Sequence, residues 1–174
     1  MLLQQVDPDE ATGKVADVYR SMMKAMGMIP NAFKMYSVSE ELLVKQYEGL
    51  AYFMANSGLS GKLLAFIRLL VSYTEQCDYC VGVNTGILMQ YGVLPGQIPG
   101  IRQDPSTAPL PENELKLLLF VLQAVNSPAS IEEGDITPVR NVGWTDKQIF
   151  DATFHGAMQV ASDKLLVAFK VIAD

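Results

Sequence analysis

Charged residues are scarce in this sequence, and so are the residue types that carry most site chemistry. Lys, Arg, Asp and Glu make up 18% of 174 residues, against about 25% in an average soluble protein. The chain has one histidine, one tryptophan and two cysteines. Two cysteines are too few for a disulfide-stapled scaffold, and 49% apolar residues exclude intrinsic disorder. Length and composition therefore predict a single folded domain, residues 1–174.

Basic clusters and long apolar runs are also missing. The chain has 13 Lys and Arg against 19 Asp and Glu, which gives a net charge of −6. Because proteins bind the phosphate backbone through Lys and Arg, we expect no nucleic-acid partner. The apolar run at residues 63–71 is interrupted by Arg68 and is too short to span a bilayer. Residues 1–10 lack the features of a signal peptide, so we expect a soluble, cytoplasmic protein without membrane contact.

The shortage of charge also bears on assembly. A monomer needs charged side chains to cover its surface, whereas apolar surface can be buried between copies of a chain. We therefore expect a homo-oligomer.

Helical periodicity extends over almost the whole sequence, and no segment alternates as a strand does. Apolar residues recur at spacings of three and four, as in Val15, Val18, Tyr19 and Met22. The segment 61–74 is apolar nearly all round, which is typical of a central buried helix. The pattern predicts an all-α bundle of about seven to eight helices.

The last predicted helix carries two stripes. Its apolar stripe consists of Phe150, Phe154, Met158, Ala161, Leu165, Phe169 and Ile172. Its polar stripe consists of Asp151, His155, Gln159 and Ser162. His155 is the only imidazole of the chain, and it is interpreted either as an exposed or interface residue or as a group that reaches the cysteines.

The two cysteines form a C-x-x-C motif, Cys77-Asp78-Tyr79-Cys80, at a predicted helix start. One helical turn separates them, so both sulfurs lie on one face, close enough for a disulfide. The motif is a redox-active dithiol, half of a zinc site, or two small buried apolar residues. Zinc takes four ligands, and the chain offers only His155 and carboxylates besides the pair. We predict no metal and no cofactor.

Residues around the motif do not favour a strongly acidic thiol. Glu75 and Asp78 are negatively charged, which raises a thiol pKa. No Lys, Arg or His lies within six residues on either side of the motif. The helix N-terminus favours a thiolate, but at an exposed site it is worth only about 0.3–1 kcal/mol.

Three neighbours of the pair are candidates for a supporting role. Asn84 either orients Cys80 by a hydrogen bond or is an ordinary polar helix residue. Tyr79 either brings a hydroxyl near the pair or packs as an aromatic residue. Glu75 is either a replacement base or a solvated acid near a helix end.

Several blocks of the sequence resemble the alkylhydroperoxidase D-like (AhpD-like) branch of the carboxymuconolactone decarboxylase family. Residues 27–33, GMIPNAF, resemble the G-x-[VI]-P-N-x-F block of its peroxidase-related members. Residues 59–72 resemble the helix that precedes the active site, and residues 77–81, CDYCV, resemble the active-site C-x-Y-C-V. Residues 143–146, GWTD, also fit. Together the blocks extend over most of the chain.

The resemblance implies all-α subunits that assemble as trimers or hexamers and reduce hydroperoxides with the cysteine pair. It implies that Cys80 attacks the peroxide and becomes a sulfenic acid, and that Cys77 resolves it as a disulfide. A separate, unidentified dithiol protein would then reduce the disulfide.

Two positions depart from the family pattern. The histidine expected one turn after the second cysteine is Asn84, and the glutamate expected in the preceding helix falls at Ala65. An Asn amide does not titrate near neutral pH, so it cannot remove the thiol proton. A non-catalytic oligomeric scaffold of the same fold is therefore the alternative to a peroxidase. A decarboxylase of the wider family is a third interpretation, against which the cysteine pair argues.

Overall fold

The computed structural model describes all 174 residues and is helical throughout, with no strand. Three short 3₁₀ turns, Pro95–Gln97, Pro105–Thr107 and Pro128–Ser130, join some of the helices. The nine α-helices are α1 (Gly13–Met26), α2 (Asn31–Tyr36), α3 (Glu40–Ala55), α4 (Gly61–Thr74), α5 (Asp78–Gln90), α6 (Ile98–Gln103), α7 (Glu112–Asn126), α8 (Glu133–Asn141) and α9 (Asp146–Ala168). The predicted all-α architecture is confirmed. None of the helices combines the length and hydropathy needed to cross a bilayer.

Tertiary contacts divide the chain into two compact units. One consists of residues 1–56 and 165–174, and the other of residues 57–164. That the whole chain forms one domain stays a prediction. The cysteine motif lies in the second unit.

The first unit is built on α1 and α3. Val15, Val18, Tyr19 and Met22 of α1 are buried at the predicted spacing, and Leu43 of α3 packs in the same core. The helix ends as its sequence predicts, because Gly27 adopts a left-handed conformation with φ 73° that costs little for a residue without a Cβ.

In the second unit α4 is the central element. Its N-terminus is capped by Ser60, whose hydroxyl oxygen accepts a 3.0 Å hydrogen bond from the backbone N–H of Leu63. Nine of its 14 residues are buried, and α5 and α7 pack against it. A helix that is apolar nearly all round thus lies inside its unit, as predicted.

The helix α9 presents its stripes in an unexpected direction. Phe150, Phe154 and Met158 of the apolar stripe are 67%, 47% and 40% exposed. Asp151 and His155 of the polar stripe are buried. The interpretation of His155 as an exposed residue is therefore wrong, because the polar stripe is the face that packs inward.

Candidate functional site

The cysteine motif occupies the start of α5, directly after the turn that follows α4. Gln76 in this turn has φ 57°, and the backbone N–H of Cys77 donates a 2.9 Å hydrogen bond to the carbonyl of Ser72. Cys77 is the N-cap residue of α5, and Cys80 lies in its first turn. Both side chains are free thiols and both are buried, with exposed fractions of 1% and 7%. The tight turn therefore brings both sulfurs against the end of α4.

A third reactive group joins the sulfurs from a distant part of the sequence. Asp163 of α9 is fully buried, and one of its carboxylate oxygens and the two sulfurs all lie within 4.8 Å of one another. Its Oδ1 accepts hydrogen bonds from the Ser72 hydroxyl, at 3.1 Å, and the Gln159 amide, at 2.8 Å. Its Oδ2 is buried without a hydrogen-bond partner. Burial raises the pKa of Asp163.

The two thiols affect each other's acidity in opposite directions. A hydrogen bond from the Cys80 thiol lowers the pKa of Cys77. The same hydrogen bond, burial and the charge of Asp163 raise the pKa of Cys80. The first negative charge of the pair is therefore favoured on Cys77, next to the N-terminus of α5, and the two protons are lost in coupled steps.

Arg68 of α4 is the cation of the site, and two neutral side chains hold it. Its Nε donates a 2.7 Å hydrogen bond to Oδ1 of Asn84, and its Nη1 lies 3.1 Å from Nε2 of His155. Burial lowers the pKa of Arg68 to about 10, whereas an ionised Cys80 would raise it. Burial and the Arg68 charge lower the pKa of His155 to about 3. Arg68 is thus charged and His155 neutral at pH 7, and no carboxylate neutralises the guanidinium.

The predicted supporting residues have different surroundings. Asn84 is 2% exposed, and its amide donates a 2.8 Å hydrogen bond to the carbonyl of Cys80. Tyr79 is half-buried. Glu75 forms a 2.8 Å ion pair with Lys164 and is not part of the cluster of sulfurs and carboxylate. The carboxylate beside the thiols belongs to Asp163 instead.

Sequence reasoning missed Asp163 and Arg68, although a signal for the first was present. Asp151, His155, Gln159 and Asp163 recur at every fourth position, so they form a continuous row on one face of α9. The predicted polar stripe ends at Ser162, one position earlier. Arg68 interrupts the apolar surface of α4, and a lone cation on a buried helix needs a partner.

The cluster offers part of a metal site. Two sulfurs and one carboxylate oxygen are three of the four ligands that zinc takes. No fourth His, Cys, Asp or Glu belongs to the cluster, and His155 contacts Arg68 instead. The donor set is thus short of a closed tetrahedral site.

Solved structures of several proteins share the fold. One is an alkylhydroperoxidase AhpD core, an uncharacterized peroxidase-related protein from Ralstonia eutropha JMP134, with a TM-score of 0.86 and 18% identity over 99% of this chain and 92% of that one. Another is an uncharacterized peroxidase-related protein from Silicibacter sp. TM1040, with a TM-score of 0.82 and 22% identity over 98% and 91%.

A third similar structure is the debrominase Bmp8, with a TM-score of 0.75 and 16% identity over 98% of this chain and 90% of that one. No protein-family model matches the sequence, and no curated protein does. The chain has the AhpD-like fold.

Proposed function

We propose that this protein is a thiol-dependent peroxidase of antioxidant defence, with Cys77 and Cys80 as its redox pair and a hydroperoxide as its substrate. One observation carries the proposal: two free sulfurs, one turn apart at a helix start, lie within 4.8 Å of each other and of a buried carboxylate oxygen. A pair in this arrangement can close and reopen a disulfide without moving the helix.

The reaction starts at Cys80, the more exposed of the two cysteines. Cys77 is the more acidic thiol, so removal of the Cys80 proton is the step that needs a base. Its thiolate attacks a hydroperoxide oxygen; the S–O bond forms, the O–O bond breaks, and the peroxide is reduced to an alcohol. Cys80 is oxidised to a sulfenic acid. The Cys77 thiol then attacks the Cys80 sulfur, and the sulfenic oxygen leaves as water. A dithiol protein, not yet identified, reduces the disulfide by exchange.

Arg68 supports the first step through its charge. An ionised Cys80 and the guanidinium attract each other, and the attraction is strong because the site is partly shielded from water. Asn84 and His155 fix the guanidinium without neutralising it. The asparagine that replaces the family's histidine thus acts as a positioning residue in this proposal.

Peroxide consumption with a small-molecule dithiol as reductant tests the proposal. We expect wild type to consume tert-butyl hydroperoxide and Cys80→Ser to lose at least about 100-fold of the rate, because the attacking sulfur is gone. Equal rates for the two proteins would overturn the enzymatic assignment. A brominated pyrrole is the comparison substrate, since the debrominase Bmp8 shares the fold and one of its structures is a complex with 2,3,4-tribromopyrrole.

Trapping the intermediate tests the order of the cysteines. In Cys77→Ser the sulfenic acid on Cys80 has no resolving thiol, so we expect a sulfenic-acid probe to label Cys80. Mass spectrometry of the labelled peptide identifies the modified sulfur. Labelling of Cys77 in Cys80→Ser, with none of Cys80 in Cys77→Ser, would reverse the two roles.

A non-catalytic oligomeric scaffold is the second candidate function. Two observations favour it: both sulfurs are almost fully buried, and the pKa of Cys80 is raised. A scaffold of this kind would leave its thiols unreactive toward peroxide and toward alkylating reagents alike. Loss of both reactivities in wild type would select it.

We further propose a cytoplasmic homo-oligomer, a trimer or hexamer, built from chains that each form one domain and bind no cofactor. The exposed apolar stripe of α9 supports the assembly, because an isolated chain rarely leaves such large side chains in water.

A further inference from the structure

Building on the proposed function, we infer that Asp163 is the proton shuttle of the cysteine pair. Its carboxylate takes the proton of the attacking thiol and delivers it to the alkoxide that leaves when the O–O bond breaks. Asp163 is then a catalytic residue, supplied by α9 to sulfurs that lie on α5.

The geometry of the carboxylate supports this role. Oδ1 is held by Ser72 and Gln159, so the orientation of the group is fixed. Oδ2 is buried and has no hydrogen-bond partner. Buried carboxylate oxygens are normally satisfied, and one that is not requires an explanation. The thiols of Cys77 and Cys80 are proton donors whose sulfurs lie within 4.8 Å of an oxygen of this carboxylate.

The charges around Asp163 are consistent with a group that exchanges protons. No Lys, Arg or His forms an ion pair with it. Lys164, the next residue, is paired with Glu75, and Arg68 is held by Asn84 and His155. Burial without a cation favours the protonated carboxylic acid, which raises its pKa. A buried carboxylate of this kind accepts a proton from a neighbouring thiol more readily than an exposed carboxylate does.

The proton balance of the step follows. The S–H bond breaks and an O–H bond forms on Asp163, so a thiolate and a carboxylic acid stand side by side. The thiolate then forms the S–O bond, the O–O bond breaks, and the acid gives its proton to the alkoxide, which leaves as an alcohol. The carboxylate is restored, and no proton is exchanged with solvent. Because an alkoxide is a poor leaving group, general acid help is typically worth about 10²–10⁴-fold.

The matched experiment compares Asp163→Asn with Asp151→Asn. The amide introduced by Asp163→Asn keeps an oxygen for Ser72 and Gln159, and it loses the negative charge and the ability to carry a proton. Asp151 is the control, a buried aspartate of the same helix that pairs with Lys147. The readouts are reduction of tert-butyl hydroperoxide, reduction of peracetic acid and alkylation by iodoacetamide, each at the same pH.

We expect Asp163→Asn to reduce the alkyl hydroperoxide about 100-fold more slowly than wild type does. The rate with peracetic acid should fall much less, because its leaving group is a carboxylate that needs no proton. Alkylation, which releases iodide, should be unchanged or faster, because removing a negative charge lowers a thiol pKa. Asp151→Asn should match wild type in all three. Equal losses in all three reactions would make Asp163 a structural residue, and no loss with the alkyl hydroperoxide would overturn the inference.

A second measurement needs no variant. In wild type the alkylation rate should rise with pH. Reduction of the alkyl hydroperoxide should fall again at alkaline pH, where the thiol has lost the proton that Asp163 would pass to the alkoxide. Parallel profiles would contradict the shuttle. If the thiols of wild type react with iodoacetamide but the protein reduces no hydroperoxide, the proposed function is refuted instead. If the protein binds one zinc ion per chain and the zinc blocks alkylation, Asp163 is a metal ligand and the shuttle is refuted.

Discussion

His155 illustrates how burial changes the role of a titratable side chain. It is the only imidazole of the chain, and an imidazole is ordinarily the first candidate for a general base. Its ring instead accepts a hydrogen bond from Arg68 and lies too deep to take up a proton at neutral pH. The residue therefore positions a cation, and the base function is left to Asp163.

This burial predicts a pH dependence of stability. The pKa of His155 is about 3 in the folded chain and about 6.5 when unfolded. As the pH falls below about 6.5, the unfolded chain binds a proton that the folded chain does not, so folding becomes less stable until the pH reaches the folded value. Urea unfolding at pH 7, 6, 5 and 4 should show this loss, and His155→Gln, which can still accept from Arg68, should lose about 1 kcal/mol less per pH unit.

The comparison with His155→Gln isolates one group among several. Asp163 acts in the opposite direction, because its raised pKa gives stability at low pH that is lost as the pH rises through the folded value. Since Asp163 is present in both proteins, its contribution cancels. Identical pH dependence in the two proteins would show that His155 is protonated in the fold.

The helix α9 determines the site because it approaches α4 and α7 very closely. Gly156 lies at this crossing, and a Cβ built there would lie 2.9 Å from Cγ2 of Val125 and 3.1 Å from Cγ1 of Val121. The missing side chain lets the backbone of α9 come near enough for its polar row to reach the interior. His155 and Asp163, which flank this contact on the same helix, depend on it for their positions.

A single methyl group should therefore disturb α9. Gly156→Ala should lower the free energy of unfolding by about 1–3 kcal/mol, because the core must shift to admit it. Gly86→Ala is the control, since nothing lies within 4 Å of a Cβ at this position of α5; it should raise stability by about 0.5–1 kcal/mol. Urea unfolding measures both, and an increase in stability for Gly156→Ala would show that the crossing is not tight.

At the level of the molecule, the outer face of α9 exposes several large apolar side chains. Phe150 and Phe154 stack on each other, with ring centroids 6.2 Å apart, and Met158 extends the same stripe. The shortage of charge in the sequence and this stripe point to the same explanation, burial between copies of the chain.

Introducing a charge into the stripe should break the assembly. We expect Phe150→Glu to shift the protein in gel filtration toward the 19.1 kDa monomer, because a carboxylate in an apolar interface loses its hydration. Leu94→Glu is the control, an exposed apolar residue outside the stripe, and it should elute as wild type does. A wild type that elutes as a monomer at every concentration would refute the predicted oligomer.

Local rules were sufficient for much of this protein. Apolar spacing predicted the buried face of α1, the Ser60 cap predicted the start of α4, and the C-x-x-C motif was correctly placed where α5 begins. Each of these features depends on residues within a few positions of one another, so short-range sterics and hydrogen bonds determine them.

The chemistry around the sulfurs depends on residues far apart in the chain. Asp163 and Arg68 come to the site from helices on either side of α5 in sequence, and their pKa values depend on burial that exists only after those helices pack. Helix packing also decides which stripe of α9 is buried, because a helix with one apolar and one polar face can turn either face inward. Here the buried cation and thiols on α4 and α5 provide the partners that make the polar face the inner one.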